Sequence, residues 1–380
     1  MSKNSIDGEV AVIGLGSMGS FAFWQLAKLG IDVIGFERFH PGHDQGAGHG
    51  ETRIFRTAYG EGVEYVPLLQ AARELWRQLE TEANTELYIE NGGTMFGAKD
   101  DLFIQTVQES VNQFNLPHKI MEANEARQKY PQIAFKDDQV AVFENHAGFV
   151  KPELAIQTAV ARGEQLGGKT FTNTEITKIE PDEHGVTIRS HDQTYRVNHV
   201  IVSSGGWTSS LVPQAKLPVQ LERQVLVWYN ARNPEKFTAN QFPIFSRMKE
   251  GIGFYGFPSI DGKTVKVALH HGGKFINHPD EVDRDIHESD LTPVTELVKE
   301  YLPDLIPEPV KAKTCFYTNT PDEHFILGPV PNESNITLLG PMAGHGFKFA
   351  PIMGKIAAQL AIGETPELQI SMFNPGRFEK

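Results

Sequence analysis

A chain of 380 residues with 35 basic and 48 acidic side chains has a formal net charge of −13, which opposes non-specific attachment to nucleic acid or to an anionic membrane. Its composition, 40% apolar, 10% aromatic and 22% charged, is that of a soluble globular protein, and its length is enough for about two or three domains. The one cysteine, Cys315, excludes an intrachain disulfide and fits a reducing cytoplasm. The opening "MSKNSIDGE" is polar and the apolar run after it is broken by glycines, so neither a secretory leader nor a membrane span is expected.

"EVAVIGLGSMGSFAFWQLAKLGIDVIGFER" predicts strand, tight turn, helix and strand in succession. Val10 to Ile13 is continuously apolar, as in a strand covered on both faces. Gly14, Gly16 and Gly19 form G-x-G-x-x-G: a turn, an approach for a pyrophosphate and a close helix–strand contact. Residues 21–29 suit a buried helix whose N-terminus faces the phosphates. Glu37, closing the second strand, is placed to bind ribose hydroxyls and disfavours a 2′-phosphate. An isolated match of this kind is weak; here strand, helix and acid all stand where a dinucleotide needs them.

Three further segments favour FAD over NAD. "HGETRIFRTAYGEG", from His49, reads as a polar, glycine-rich loop facing a ligand. "NHVIVSSGGWTSSLVP" is a strand over Val200 to Val202 running into Gly205 and Gly206, where backbone can approach a ligand. "NITLLGPMAGHGFKFAPIMGKIAAQLAIGE" is a strand, a turn containing Gly344 and Gly346, and a helix whose N-terminus again suits negative charge. An NAD domain has no use for this third unit so late in the chain. Helices are expected over "PLLQAARELWRQLE", after Pro67, and over "KPELAIQTAVARGEQLGG".

The fold class expected is α/β in two domains. A Rossmann-like FAD-binding domain is made from 1–90, 145–215 and 315–375. An inserted antiparallel-sheet substrate domain is made from 91–144 and 216–314. In the insert, "RQVLVWYN", "GIGFYGFP" and "GKTVKVALHHGG" read as short strands. Strict alternation puts Val265, Val267 and Leu269 on one face and Lys266, Ala268 and His270 on the other. A lysine and a histidine on one strand face are ordinarily a solvated surface. No internal repeat and no metal-like spacing of Cys and His is present.

Together these segments resemble the monomeric sarcosine oxidase and N-methyltryptophan oxidase group of FAD-dependent amine oxidases, over nearly the whole chain. "GETRIFRTAYGEG", "CFYTNTPDEHFI" and "AGHGFKFAPIMG" carry most of the likeness. The resemblance implies that Cys315 carries the flavin through a thioether at the ring's 8α-methyl, a reaction suited to a soft thiolate. It implies that Arg56 and Lys348 bind the substrate carboxylate, and that His49 and Arg53 contact the flavin. Lys266 is implied as the cation that activates oxygen by stabilising superoxide. His270, Tyr255 and Tyr317 are implied as active-site residues, and Tyr59, Trp228 and Tyr229 as further candidates for the pocket wall. The resemblance also implies a monomer.

The chain departs from the pattern in places. Ala47-Gly48-His49-Gly50-Glu51 stands where the family commonly has Ser-His-His-Gly-Asp, and Thr57 replaces the usual histidine after Arg56. "FSRMKEGIGFY" differs from the sarcosine oxidases, Trp228–Tyr229 and "HHGG" look more like the N-methyltryptophan enzyme, and "GFERFHPGHDQGA" is similar to bacterial fructosyl-amino-acid oxidases. The expected activity is oxidation of an N-substituted α-amino acid to an imine, with oxygen reduced to hydrogen peroxide. The alternatives are a fructosyl-amino-acid oxidase of the same mechanism, a flavin dehydrogenase using another electron acceptor, and a non-catalytic FAD-binding module.

Overall fold

The computed structural model describes residues 6–249 and 251–379; the first five residues of the polar N-terminal stretch fall outside them. The strand Gly8–Ile13 lies at the centre of an eight-stranded sheet. Its parallel neighbours are Val33–Phe36 on one side and Thr194–Val202 on the other, continued by Lys169–Phe171 and Glu333–Leu339. Because successive side chains alternate, Val10 and Val12 enter one core cluster and Ala11 and Ile13 another. Both faces of the strand are thus covered, which is why its sequence is apolar without a break.

On the Val10/Val12 face lies the helix Gly19–Lys28, buried at every residue from Gly19 to Ala27. It packs against the helices Pro152–Gln165 and Ala350–Ala361. Gly354 makes the second contact close: a Cβ there would stand 2.6 Å from the Ala22 backbone nitrogen. The opposite face is covered by an antiparallel pair, Ile176–Asp182 and Gly185–Ser190, through Ile179, Val186 and Ile188.

A nine-stranded sheet forms the second layer. It is antiparallel except where Ile244–Lys249 meets Gly93–Ala98 in parallel. Its long central strand, Gln220–Ala231, pairs with Thr264–His270 on one side and with Leu305–Asn319 on the other. The alternation expected for Thr264–His270 holds: Val265 and Val267 enter a core with Tyr229, Phe254, Val294 and Val298, while Ala268 joins Leu226, Trp228 and Cys315 on the opposite face. Cys315 lies inside the strand Leu305–Asn319, opposite Gln224. The boundary expected at residue 315 therefore cuts a continuous strand of the second sheet. The insert also contains the helices Leu102–Gln113, Ala123–Lys129 and Glu288–Tyr301, where only short strands were expected. Among the described residues no helix is long and apolar enough to cross a membrane.

Candidate active site

One cavity of about 510 Å³ runs between the two sheets, from the Gly14 turn to Lys348. At its first end the glycines occupy three different situations. Gly14 has φ +90°, and a Cβ there would strike the Ser203 carbonyl at 2.5 Å. A Cβ on Gly19 would stand 1.9 Å from the Gly14 carbonyl, so Gly19 serves packing and does not line the cavity. A Cβ on Gly16 would meet no protein atom within 4 Å, and the same is true of Gly205. Both glycines line the cavity and leave room there for a ligand's backbone-hugging end.

The helix behind Gly16 has Met18 as its N-cap with no side-chain cap, and Ser20 N and Phe21 N turn back to the Gly16 and Met18 carbonyls, each at 3.2 Å. Glu37 is 4% exposed and lines the cavity. It accepts from Leu15 N and Phe39 N, each at 2.9 Å, which holds its carboxylate in place.

In the middle of the cavity, Arg53 Nη2 lies 3.9 Å from Cys315 Sγ and donates to the Ala47 carbonyl at 2.8 Å. Both residues line the wall. His49 stands behind it, 2% exposed, with neither ring nitrogen partnered. Burial, reinforced by the Arg53 charge, pushes its pKa down to about 3, so the ring is neutral. Lys266 is also absent from the wall and is not the solvated residue that its strand face suggested. It is 3% exposed and donates to the carbonyls of Gly50 and Thr52 at 2.7 and 2.6 Å, with the Phe257 ring 4.2 Å away. Burial lowers its pKa well below that of an ordinary lysine.

At the far end, Arg56 and Lys348 line the cavity, 4% and 6% exposed. They share one aromatic ring: the Tyr59 ring centroid lies 5.0 Å from the Arg56 guanidinium and 5.1 Å from Lys348 Nζ. Arg56 directs Nη2 to Glu61 at 2.5 and 2.7 Å, while its buried Nη1 has no partner. Burial opposes the charge of Glu61, yet Arg56, His345 and Lys348 together hold its pKa at about 2. Lys348 donates to the His345 carbonyl at 2.6 Å, and burial, against the pull of Glu61, brings its pKa down to about 7.

His270, Tyr317 and Tyr255 complete this end of the wall. His270 Nδ1 lies 3.1 Å from the Tyr317 hydroxyl, and that hydroxyl interacts with Tyr255. Burial, with a smaller repulsion from His271, keeps His270 neutral. Gly344 and Gly346 form the turn beneath: a Cβ on Gly344 would enter the Tyr317 ring at 2.6 Å, and one on Gly346 would strike Met342 at 2.4 Å.

The further aromatic candidates do not line the cavity. Tyr59 and Tyr229 are fully buried in core clusters, and Trp228 is turned to donate to Glu51 at 2.9 Å, because strand alternation sends Trp228 and Tyr229 to opposite faces. Three polar residues were missed. Glu61 lies in the quoted loop, five positions after Arg56, but nothing in the loop's composition shows that the chain folds back on itself there. His345 lines the cavity three residues before Lys348 and meets Tyr59 Oη at 2.5 Å. Glu144, fully buried, accepts hydrogen bonds from Thr57 and Ala58. Among the described residues no cluster suited to a metal ion occurs.

The open space over Gly16 and Gly205 and the fixed Glu37 carboxylate fit an elongated dinucleotide, with Arg53 and Cys315 at the wall further along the cavity. Residues 9–360 match the family model described as FAD dependent oxidoreductase. The chain is 35% identical to the monomeric sarcosine oxidase of Streptomyces avermitilis, over 97% of each chain. It is 34% identical to the N-methyl-L-tryptophan oxidase of Salmonella agona, over 98% of this chain and 99% of that one. Its fold also matches the open form of NikD, an amino acid oxidase of nikkomycin biosynthesis, with a TM-score of 0.86, 22% identity and 97% of each chain covered. The chain belongs to the FAD dependent oxidoreductase family.

Proposed function

We propose that the protein oxidises the C–N bond of an N-substituted α-amino acid, a secondary amine of the sarcosine or N-methyltryptophan kind, and delivers the electrons to oxygen as hydrogen peroxide. One observation carries this reading: two buried cations, Arg56 and Lys348, face one end of the cavity, and Arg56 Nη1 has no acceptor of its own. A carboxylate supplies that acceptor, since an arginine fork and an ammonium together grip both of its oxygens. The names of the curated relatives support the same class of substrate.

Gly14, Gly16, Glu37 and Gly205 would hold the dinucleotide, with His49, Arg53, Cys315, Gly344 and Gly346 around the ring system. Bound FAD supplies a two-electron acceptor that in turn reduces oxygen. Arg56 and Lys348 fix the carboxylate and so orient the amine and the adjacent C–H in the cavity. The amine reacts unprotonated. His270, neutral and held through Nδ1 by Tyr317, leaves Nε2 to exchange that proton. Tyr255 braces the Tyr317 hydroxyl. Lys266 Nζ, held by the Gly50 and Thr52 carbonyls, stands behind that turn and, when protonated, stabilises charge transferred to oxygen. The imine is hydrolysed by water; an N-methyl substrate yields formaldehyde and the primary amino acid.

The reading further includes a thioether from Cys315 to the flavin, a monomer, and a cytoplasmic setting. The nearness of Arg53 to a cavity-lining thiol supports the thioether. The Cys315→Ser variant should lose its yellow colour on acid precipitation while the parent keeps it; colour that stays with precipitated Cys315→Ser protein refutes the bond. The activity is tested by oxygen-dependent peroxide release with sarcosine, N-methyltryptophan, fructosyl-valine and the parent primary amino acids. Peroxide from one of the N-substituted compounds, and not from its primary parent, is the expected result. Bleaching of the flavin under nitrogen without peroxide in air overturns the oxidase reading in favour of a dehydrogenase.

A further inference from the structure

We propose that Glu144 is a positioning residue for the anion-binding end of the cavity, holding Thr57 and Ala58 so that Arg56 keeps its guanidinium at the wall. The inference rests on the reading of Arg56 as a carboxylate ligand. Glu144 ends the strand Gln139–Glu144 and is fixed in register between Gly93 and His118, one on each neighbouring strand. It is fully buried, and its carboxylate turns out of the second sheet towards the loop that follows Arg56. Oε1 and Oε2 accept from Thr57 N at 2.9 and 3.0 Å, Oε2 accepts from Ala58 N at 2.9 Å, and Thr57 Oγ1 makes a short bond to Oε1. The next residue is held as well, since Tyr59 N donates to Ser110 Oγ at 3.0 Å.

A buried carboxylate is costly unless its oxygens are filled, and here the donors to it among the described residues come from two consecutive residues of one loop. A merely structural role would be served as well by an apolar contact. What the carboxylate adds is direction: it fixes the backbone on the C-terminal side of Arg56, while the strand Arg53–Phe55 fixes it on the other. Among the described residues Glu61 is the carboxylate in ion-pair contact with Arg56, while Glu144 acts on it only through space; the guanidinium lies over the Tyr59 and Phe103 rings, and the buried Nη1 has no partner. The Glu61 pair and the two rings hold one edge of the guanidinium, and the direction of the free Nη1 edge follows from where the backbone places the side chain.

The test uses the purified holoprotein with acetate as the carboxylate probe, read by the change in flavin absorbance, and acetamide as the neutral control. Glu144→Gln, which turns a donor towards the Thr57 and Ala58 N–H groups, should weaken acetate binding about tenfold. Thr57→Val should weaken it about threefold, and Thr57→Ser should restore it. Acetamide binding and flavin content should not change. Arg56→Gln is the reference. If Arg56→Gln weakens acetate while Glu144→Gln and Thr57→Val do not, Glu144 has no positioning role. If Arg56→Gln leaves acetate binding intact, the assignment of Arg56 fails and this inference with it. Should Glu144→Gln not fold, the Thr57 pair decides alone.

Discussion

Lys348 has a pKa of about 7 because burial outweighs the attraction of Glu61. Its ammonium is therefore present below that pH and lost above it. Acetate binding should hold steady below about pH 7 and weaken as the pH rises, approaching tenfold per unit where Lys348 is neutral. In Lys348→Met the binding should be weaker and flat across the same range; an unchanged slope would place the titration elsewhere. The amine of the substrate titrates in the opposite sense, since it reacts only when unprotonated, so turnover and acetate affinity should part company with pH. Lys266 belongs to a different step. Lys266→Met should leave anaerobic bleaching by substrate nearly intact and slow reoxidation by at least ~100-fold, the scale of losing one preorganised charge. Equal loss in both half-reactions would refute that role. Arg56 and Lys348 lie in segments that carry the family likeness, whereas Lys266 entered the reading through that likeness alone, since its strand face reads as a solvated surface. Glu61, His345 and Glu144 were not legible in the sequence, since Glu61 meets Arg56 by loop closure, while Glu144 and Thr57 come together across 87 positions of chain and His345 and Tyr59 across 286.

At the scale of the element, the helix Gly19–Lys28 is held between two others, and Gly354 sets one of those contacts. Gly354→Ala should lower stability by about 1–3 kcal/mol, because the new Cβ meets backbone that has no room to turn aside. A drop in melting temperature without loss of bound flavin is the expected result. The glycine turn, the helices after Pro67 and Lys151, and the strand Thr264–His270 were readable because period and punctuation agreed there. The helices of the insert were not. Leu102 opens one of them almost fully exposed, Ala123–Lys129 is only seven residues long, and Pro293 lies inside the third. Each is a short amphipathic cover whose pattern makes sense only against the sheet it packs on.

At the scale of the whole molecule, the cavity lies where two sheets meet, and each contributes what the other lacks. The parallel sheet brings the glycine turn and Glu37; the larger sheet brings Cys315, His270 and Tyr317. The sequence announced the first sheet by motif. It announced the second chiefly through resemblance, because antiparallel strands of mixed composition have no local signature of their partners. Cys315 shows the same thing: its strand, Leu305–Asn319, runs through residue 315 and pairs with Gln220–Ala231 of the larger sheet.

That placement has a consequence for how the protein comes apart. A flavin bonded to Cys315 as proposed, and seated on Gly14 and Gly16, would fasten the two layers to each other, so that the loosening of one would be coupled to the other. Anything that binds the native state alone raises its melting point by mass action, but a bonded ligand is not diluted away when the first layer loosens. Calorimetry should show one sharp transition for the flavin-loaded protein. Protein of the Cys315→Ser variant, stripped of flavin, should melt in two separate steps. A single transition in both would mean that the sheets already hold each other without the cofactor.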